Sequence, residues 1–179
     1  MTWSAPMTAV AGSTFSAAQF NQYVRDNLNE TAPAKATAAG QLFVSTGPNA
    51  IAARIPSSAF VATSQSTTST SYTNLATVGP VVTVTTGTQA VALFSSGIDS
   101  DTANAAALAS VQVSGASSVA ANDNWALIRD GLANANILQM GDFHLFTGLT
   151  AGSNTFTMMY KAGSNTATFV RRELLVIPL

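Results

Sequence analysis

Phe20, Val24 and Leu28 recur at i, i+4 and i+8, with Tyr23 beside them, so a helix over about residues 17–29 would carry a single apolar stripe. Arg25, Asp26 and Glu30 fall off that stripe. Ser16 opens the run S-A-A-Q, a capping-box spacing in which Ser16 and Gln19 satisfy each other's free backbone N–H groups. Pro33 ends the pattern. An isolated helix of roughly 12–15 residues is barely stable in water, so its stripe has to dock on something. Gln41–Ser45 and Ala50–Ile55 then read as two short strands around the turn Gly47-Pro48-Asn49. Residues 1–56 hold four of the six prolines (Pro6, Pro33, Pro48 and Pro56), which predicts an arm of short elements rather than a compact domain.

From Ser57 onward the period changes. Thr-, Val- and Ser-rich runs recur with turn residues at roughly 8–12-residue spacing, the pattern of a sandwich or barrel. Strands are expected at Phe60–Ser64, Tyr72–Val78, Val81–Thr86, Ala90–Ile98, Ala107–Ser114, Trp125–Arg129, Asn136–Phe146, Thr155–Tyr160 and Thr168–Ile177. Phe156, Met158 and Tyr160 alternate with polar neighbours, and the last two strands read as a hairpin about Ala162-Gly163-Ser164-Asn165. NAAALAS taken alone has a helical look, and the Ser/Thr run over residues 63–71 has the composition of a linker. The pattern predicts an all-β domain over 57–179, preceded by a docking arm over 1–56.

Charge changes this picture most. Only 8% of the residues are charged, against roughly 25% in an ordinary soluble domain. Between Arg54 and Asp99 there are 44 consecutive residues without Lys, Arg, Asp or Glu. A free monomer normally keeps a mixed, charged surface, whereas interface cores are depleted of charge. The expectation is an assembly component. The hydrophobic fraction of 47% and net charge of −1 argue against disorder. Seven basic residues scattered from Arg25 to Arg172 form no phosphate-binding patch, so nucleic acid is not an expected partner. No apolar run approaches 18 residues, so no membrane span is expected, and MTWSAPMTAV lacks the basic and apolar regions of a secretory signal. With no cysteine, disulfides and thiolate chemistry are excluded.

Catalytic and metal-binding patterns are weak. The single histidine, His144, has Asp142 two residues away on the same side of a strand, but no nucleophile or further ligand matches it. Asp99-Ser100-Asp101 with Asn104 superficially resembles a calcium loop without its later Gly and distal Glu, and Asn122-Asp123-Asn124 is read the same way, as a loop capping its own backbone. Paired carboxylates for glycoside hydrolysis lack aromatic support, since Trp3 and Trp125 lie far apart in the chain. No phosphate-binding glycine loop, G-x-S-x-G or H-E-x-x-H occurs. Neither enzymatic activity nor a catalytic, cofactor or metal site is expected. Trp3, Phe15, Phe20 and Tyr23 instead concentrate aromatics in the arm, and with Val24 and Leu28 they are the candidate partner-docking residues.

FSAAQFNQYVRDNLNETAPAKATAAGQLFVSTGPNAIAAR resembles the N-terminal module of structural proteins from tailed bacteriophages of actinobacteria, where a leading Trp and a helix precede a short hairpin. YTNLATVGPVVTVTTGTQAVALF and GLTAGSNTFTMMYKAGSNTATFVRRELLVIPL resemble the small, jelly-roll-like β-sandwiches of phage virion proteins. The two cover most of the chain; Asp99–Asn136 matches neither. The resemblance implies a virion component assembled in the host cytoplasm. It implies first a homotrimeric capsid decoration protein gripping the major capsid protein through its arm, and as the alternative a tail or fibre component with a receptor- or carbohydrate-binding head, Trp125 being the residue to test.

Overall fold

Ser16 starts the first helix by the reciprocal cap its spacing allows: its side-chain oxygen accepts from the Gln19 N–H, and the Gln19 side chain accepts from the Ser16 N–H at 2.9 Å. The structure, a computed structural model, describes residues 3–101, 105–130 and 136–179. Helix α1 (Ala17–Phe20) continues directly into a π-helical stretch, Asn21–Asp26, so the stripe expected on one α-helix is wound on a wider turn. Pro33 sits near the start of a second short helix, α2 (Ala32–Lys35), where a missing N–H is tolerated. Strands β1 (Leu42–Gly47) and β2 (Ala50–Arg54) form an antiparallel hairpin. Asn49 takes the left-handed conformation at its turn (φ 55°), which Asn tolerates better than most residues. The chain divides into two compact units, Met1–Ile55 and Pro56–Leu179.

The second unit is a sandwich of two antiparallel sheets. Its strands are β3 (Ser57–Val61), β4 (Gln65–Thr67), β5 (Val81–Thr86), β6 (Gln89–Ser100), β7 (Ala106–Gly115), β8 (Leu127–Asp130), β9 (Leu138–Thr147), β10 (Gly152–Ala162) and β11 (Ala167–Pro178). One sheet runs β5-β10-β7-β8; the other runs β3-β11-β6-β9, with β4 also paired to β11. Set β4 aside and count the remaining eight strands in chain order: the sheets read 1-8-3-6 and 2-7-4-5, the strand order of a jelly roll. The core lies between them. Alternate residues of β5 (Val82, Val84), β7 (Ala107, Ala109, Val111, Val113) and β10 (Phe156, Met158, Tyr160) meet Phe94 and Ile98 of β6 and Phe169, Leu174 and Val176 of β11.

Three expectations need correction. The last two strands are not a hairpin: β10 pairs with β5 and β7, whereas β11 pairs with β3, β4 and β6. Their short connection therefore crosses between the sheets, and the Asp101 carboxylate accepts the Thr166 N–H there. Tyr72–Val78 is not a strand. Thr73 bridges to Tyr160 and the Pro80 carbonyl accepts from Met158, so seven chain steps stand opposite two. The excess bulges outward while Leu75, 5% exposed, turns into the core. Trp125 belongs to a 3₁₀ turn, Asp123–Trp125, not to a strand. The Ser/Thr run is also partly structured, with Gln65–Thr67 on the edge of β11 and the Ser66 and Thr168 hydroxyls 2.8 Å apart.

A bulge in β11 resets its alternation. Between Val170 and Glu173 the register with β6 shifts, and Arg171 takes a positive φ of 49°. Arg172 is thereby turned inward and is fully buried.

Candidate docking surfaces

The sequence-predicted docking residues are spread over two features of the first unit. Phe15 and Phe20 meet edge to face with ring centres 6.1 Å apart. Both remain about half exposed (50% and 49%), and Leu28 is 60% exposed. Tyr23 and Val24 are half-buried on the same helix. Trp3 is apart from this group: it lines a cleft of about 270 Å³ with Glu30 and the β1–β2 turn residues Gly47 and Asn49.

Asn27 holds the extended N-terminal segment to the helix. Its carboxamide oxygen accepts the Ser4 N–H at 2.9 Å, and its amide donates to the Ser4 carbonyl at 3.0 Å and the Tyr23 carbonyl at 3.1 Å. One side chain thus imitates a strand partner for Ser4. Among the described residues of Met1–Ile55 it is the only buried one. The sequence carried a signal for it, since Asn27 falls four residues after Tyr23, a polar residue at the margin of the apolar stripe.

In the sandwich, Asp142 and His144 do not form a hydrogen-bonded pair. The Asp142 carboxylate accepts the Phe143 N–H at 2.7 Å. The His144 ring stacks on Trp125 at 4.6 Å and meets the edge of Phe146, also at 4.6 Å. Burial pushes the His144 imidazole below its usual value, and Asp142 pulls the other way. The Trp125 N–H donates to the Val111 carbonyl, so the indole has one face covered and its polar edge engaged.

Nearby polar residues serve similar ends. Asn122 accepts the Asn124 N–H as a local cap. Lys161 grips both oxygens of Asp123 at 2.7 Å and lies over the Tyr72 ring. The three line a polar cleft of about 520 Å³ with Ser71 and Asn122. The Tyr72 hydroxyl lies near Asp123 and Ser110 but makes no hydrogen bond of good geometry, and burial followed by the Asp123 carboxylate pushes its ionisation upward. Lys161 in turn holds Asp123 below the usual carboxylate range.

Of the calcium-like group, Asp99 pairs with Arg129 at 3.0 Å and Asp101 caps the crossing into β11; Asn104 lies outside the described residues. Among the described residues no group of three or more His, Asp or Glu side chains could hold a metal ion, and no helix is long and apolar enough to cross a membrane. Among the described residues Arg172 has no carboxylate partner. It donates to the carbonyls of Thr63, Thr77 and Gly79 and to the Gln65 side chain, at 3.1–3.3 Å, and lies over the Tyr160 ring. These contacts fasten the irregular 63–79 segment to the sandwich, so the charge acts inside the fold. No family model and no curated protein matches the chain.

Proposed function

We propose that the chain is a non-enzymatic structural protein of a bacteriophage virion: a capsid decoration protein that trimerises and cross-links major capsid protein subunits. The observation that carries this reading is the state of the first unit. Its described residues bury Asn27 alone, while Phe15 and Phe20 stand about half exposed and Leu28 more so. Aromatic anchors presented on a short capped helix suit insertion into a partner's pocket. The jelly-roll order of the sandwich and the low charge of the chain support the same reading, because a body crowded among identical copies needs neutral, well-packed flanks. The role is mechanical: each copy spans neighbouring capsomers, so local opening of the shell must break several contacts at once.

The test is deletion of residues 1–30. The truncated chain is expected to keep the β circular-dichroism signature and cooperative melting of the sandwich, yet fail to bind capsids stripped of the protein. Normal decoration by the truncated chain overturns the reading.

A tail or fibre component with a glycan-binding head is the second reading, supported by the polar cleft of Tyr72, Asp123 and Lys161. Trp125 is a poor stacking platform for it, with His144 on its face. Copies per particle separate the two readings: hundreds indicate the shell, a handful the tail.

A further inference from the structure

The sandwich carries an apolar outer face that its own fold does not use. Across the sheet β3-β11-β6-β9, pairing sets Leu175, Leu93 and Phe143 in one row and Phe60, Glu173, Ser95 and Gly141 in the next. Inward-facing residues alternate with these: Phe94, Leu174 and Phe146 are in the core. On the outer side Phe60, Leu93, Phe143 and Leu145 are 59, 39, 67 and 44% exposed. Gly141 contributes no side chain to its row, which leaves an open cleft of about 480 Å³ between Phe143, Leu93 and Glu173. Contiguous exposed apolar patches on soluble proteins mark interaction surfaces.

The charges on this face identify the occupant. Glu173 sits in the middle of it, and Arg171 is exposed at the β11 bulge two residues away. Neither has an ion-pair partner among the described residues. A patch of one sign would call for a foreign partner of the other sign. This one carries both signs, unpaired within the chain and set in apolar surroundings, so the Arg171 of one copy can answer the Glu173 of the next. Alongside runs β9, a ten-residue edge strand with neither Lys nor Pro to discourage pairing, preceded by Ile137 and beginning at Leu138, which are 47% and 54% exposed. The geometry points to this face as the contact between copies of the chain, the surface through which the oligomer closes. The inference rests on the proposed function only for the expected copy number of three.

Sedimentation of the full-length chain tests it. Phe143→Asp and Gly141→Lys both change outward positions. Gly141 has no left-handed backbone, and a Cβ there would meet nothing nearer than 3.6 Å, so the sandwich should fold in both variants. Each is expected to weaken self-association about thirtyfold or more. Glu173→Arg is expected to weaken it several-fold, and the double variant Arg171→Glu/Glu173→Arg to recover most of that loss. A native chain that stays monomeric, or variants that associate like the native chain, overturns the proposal. A Phe143→Asp chain that remains trimeric but no longer binds shells also overturns it, by making this face a capsid-protein contact. Shell binding is read separately. Monomers that still decorate shells sink the surface and leave decoration standing, whereas trimers that close through this face and ignore shells uphold the surface and sink decoration.

Discussion

Phe156, Met158, Tyr160, Phe169 and Leu174 of the sandwich are fully buried, whereas the described residues of the first unit bury nothing but the carboxamide of Asn27. The two halves of one chain therefore rely on different physics. The sandwich draws its stability from apolar area removed from water, at about 25 cal/mol per Å². The first unit is held by a capping box, a side-chain clamp and a two-stranded hairpin, none of which removes much apolar surface. A lone hairpin and a helix of three turns are each marginal in water. A region built this way keeps its apolar surface available for something outside itself, and this is why the docking proposal rests there and not on a cleft.

The largest expected effect sharpens that contrast by making the same truncation in both regions. Phe156→Ala removes a fully buried ring and should cost about 4 kcal/mol of unfolding free energy, measured by urea denaturation. Phe20→Ala, at a position 49% exposed, should change stability by no more than about 0.5 kcal/mol while weakening the proposed capsid binding at least about tenfold. If Phe20→Ala destabilises the chain as Phe156→Ala does, the first unit has a core after all and the comparison fails.

Arg172 comes next. Replacing it with Met keeps the volume but strips the donors from the Thr63, Thr77 and Gly79 carbonyls and the Gln65 side chain, and a loss of about 3 kcal/mol is expected. Arg172→Lys should recover little, because an ammonium cannot reproduce the planar fork that reaches four acceptors. Full stability in Arg172→Met would mean that the 63–79 segment is fastened by Leu75 rather than by the guanidinium.

Arg172 also shows where sequence reasoning stops. The capped helix, the hairpin and most strands were legible, because cap spacing, turn residues and period-2 alternation are local properties. The inward turn of Arg172 was not, since one extra residue at a bulge inverts the alternation on either side of it, and nothing in V-R-R-E marks which residue is the extra one. The separation of β10 from β11 was equally hidden: a four-residue Gly/Ser/Asn connection suits a hairpin and a crossing between sheets alike, and the choice is made by which strands already pair with β10. Among the site residues, the exposed aromatics of the arm were readable from composition, but the Asn27 clamp and the Trp125–His144 stack join residues that only the fold brings together.

Asn27→Ala tests the arm's internal order at a smaller scale. It removes two hydrogen bonds to Ser4 and one to Tyr23, and a local cost of about 1 kcal/mol is expected. The readout is faster amide exchange at Ser4 with unchanged melting of the sandwich. Coupled loss of sandwich stability would show that the two units do not fold independently.

The smallest effect is a pH dependence on the other side of the comparison. His144 is partly buried beneath Trp125, and burial depresses its pKa below the ordinary 6.5, with Asp142 on the same strand opposing the shift. A group whose folded value lies below its unfolded value binds fewer protons when folded. Stability must then rise with pH up to about 6.5, and the contribution is lost as pH falls through the folded value. The expected result is a shallow rise in melting temperature from acid pH toward neutrality, accompanied by a change in Trp125 fluorescence as the stacked ring loses its proton. His144→Gln should abolish both over that interval while leaving the proposed docking through the arm untouched. If the fluorescence change persists in His144→Gln, the stacked ring is not its source, and the acid sensitivity belongs to the carboxylates, with Asp123 beneath Lys161 the first to examine.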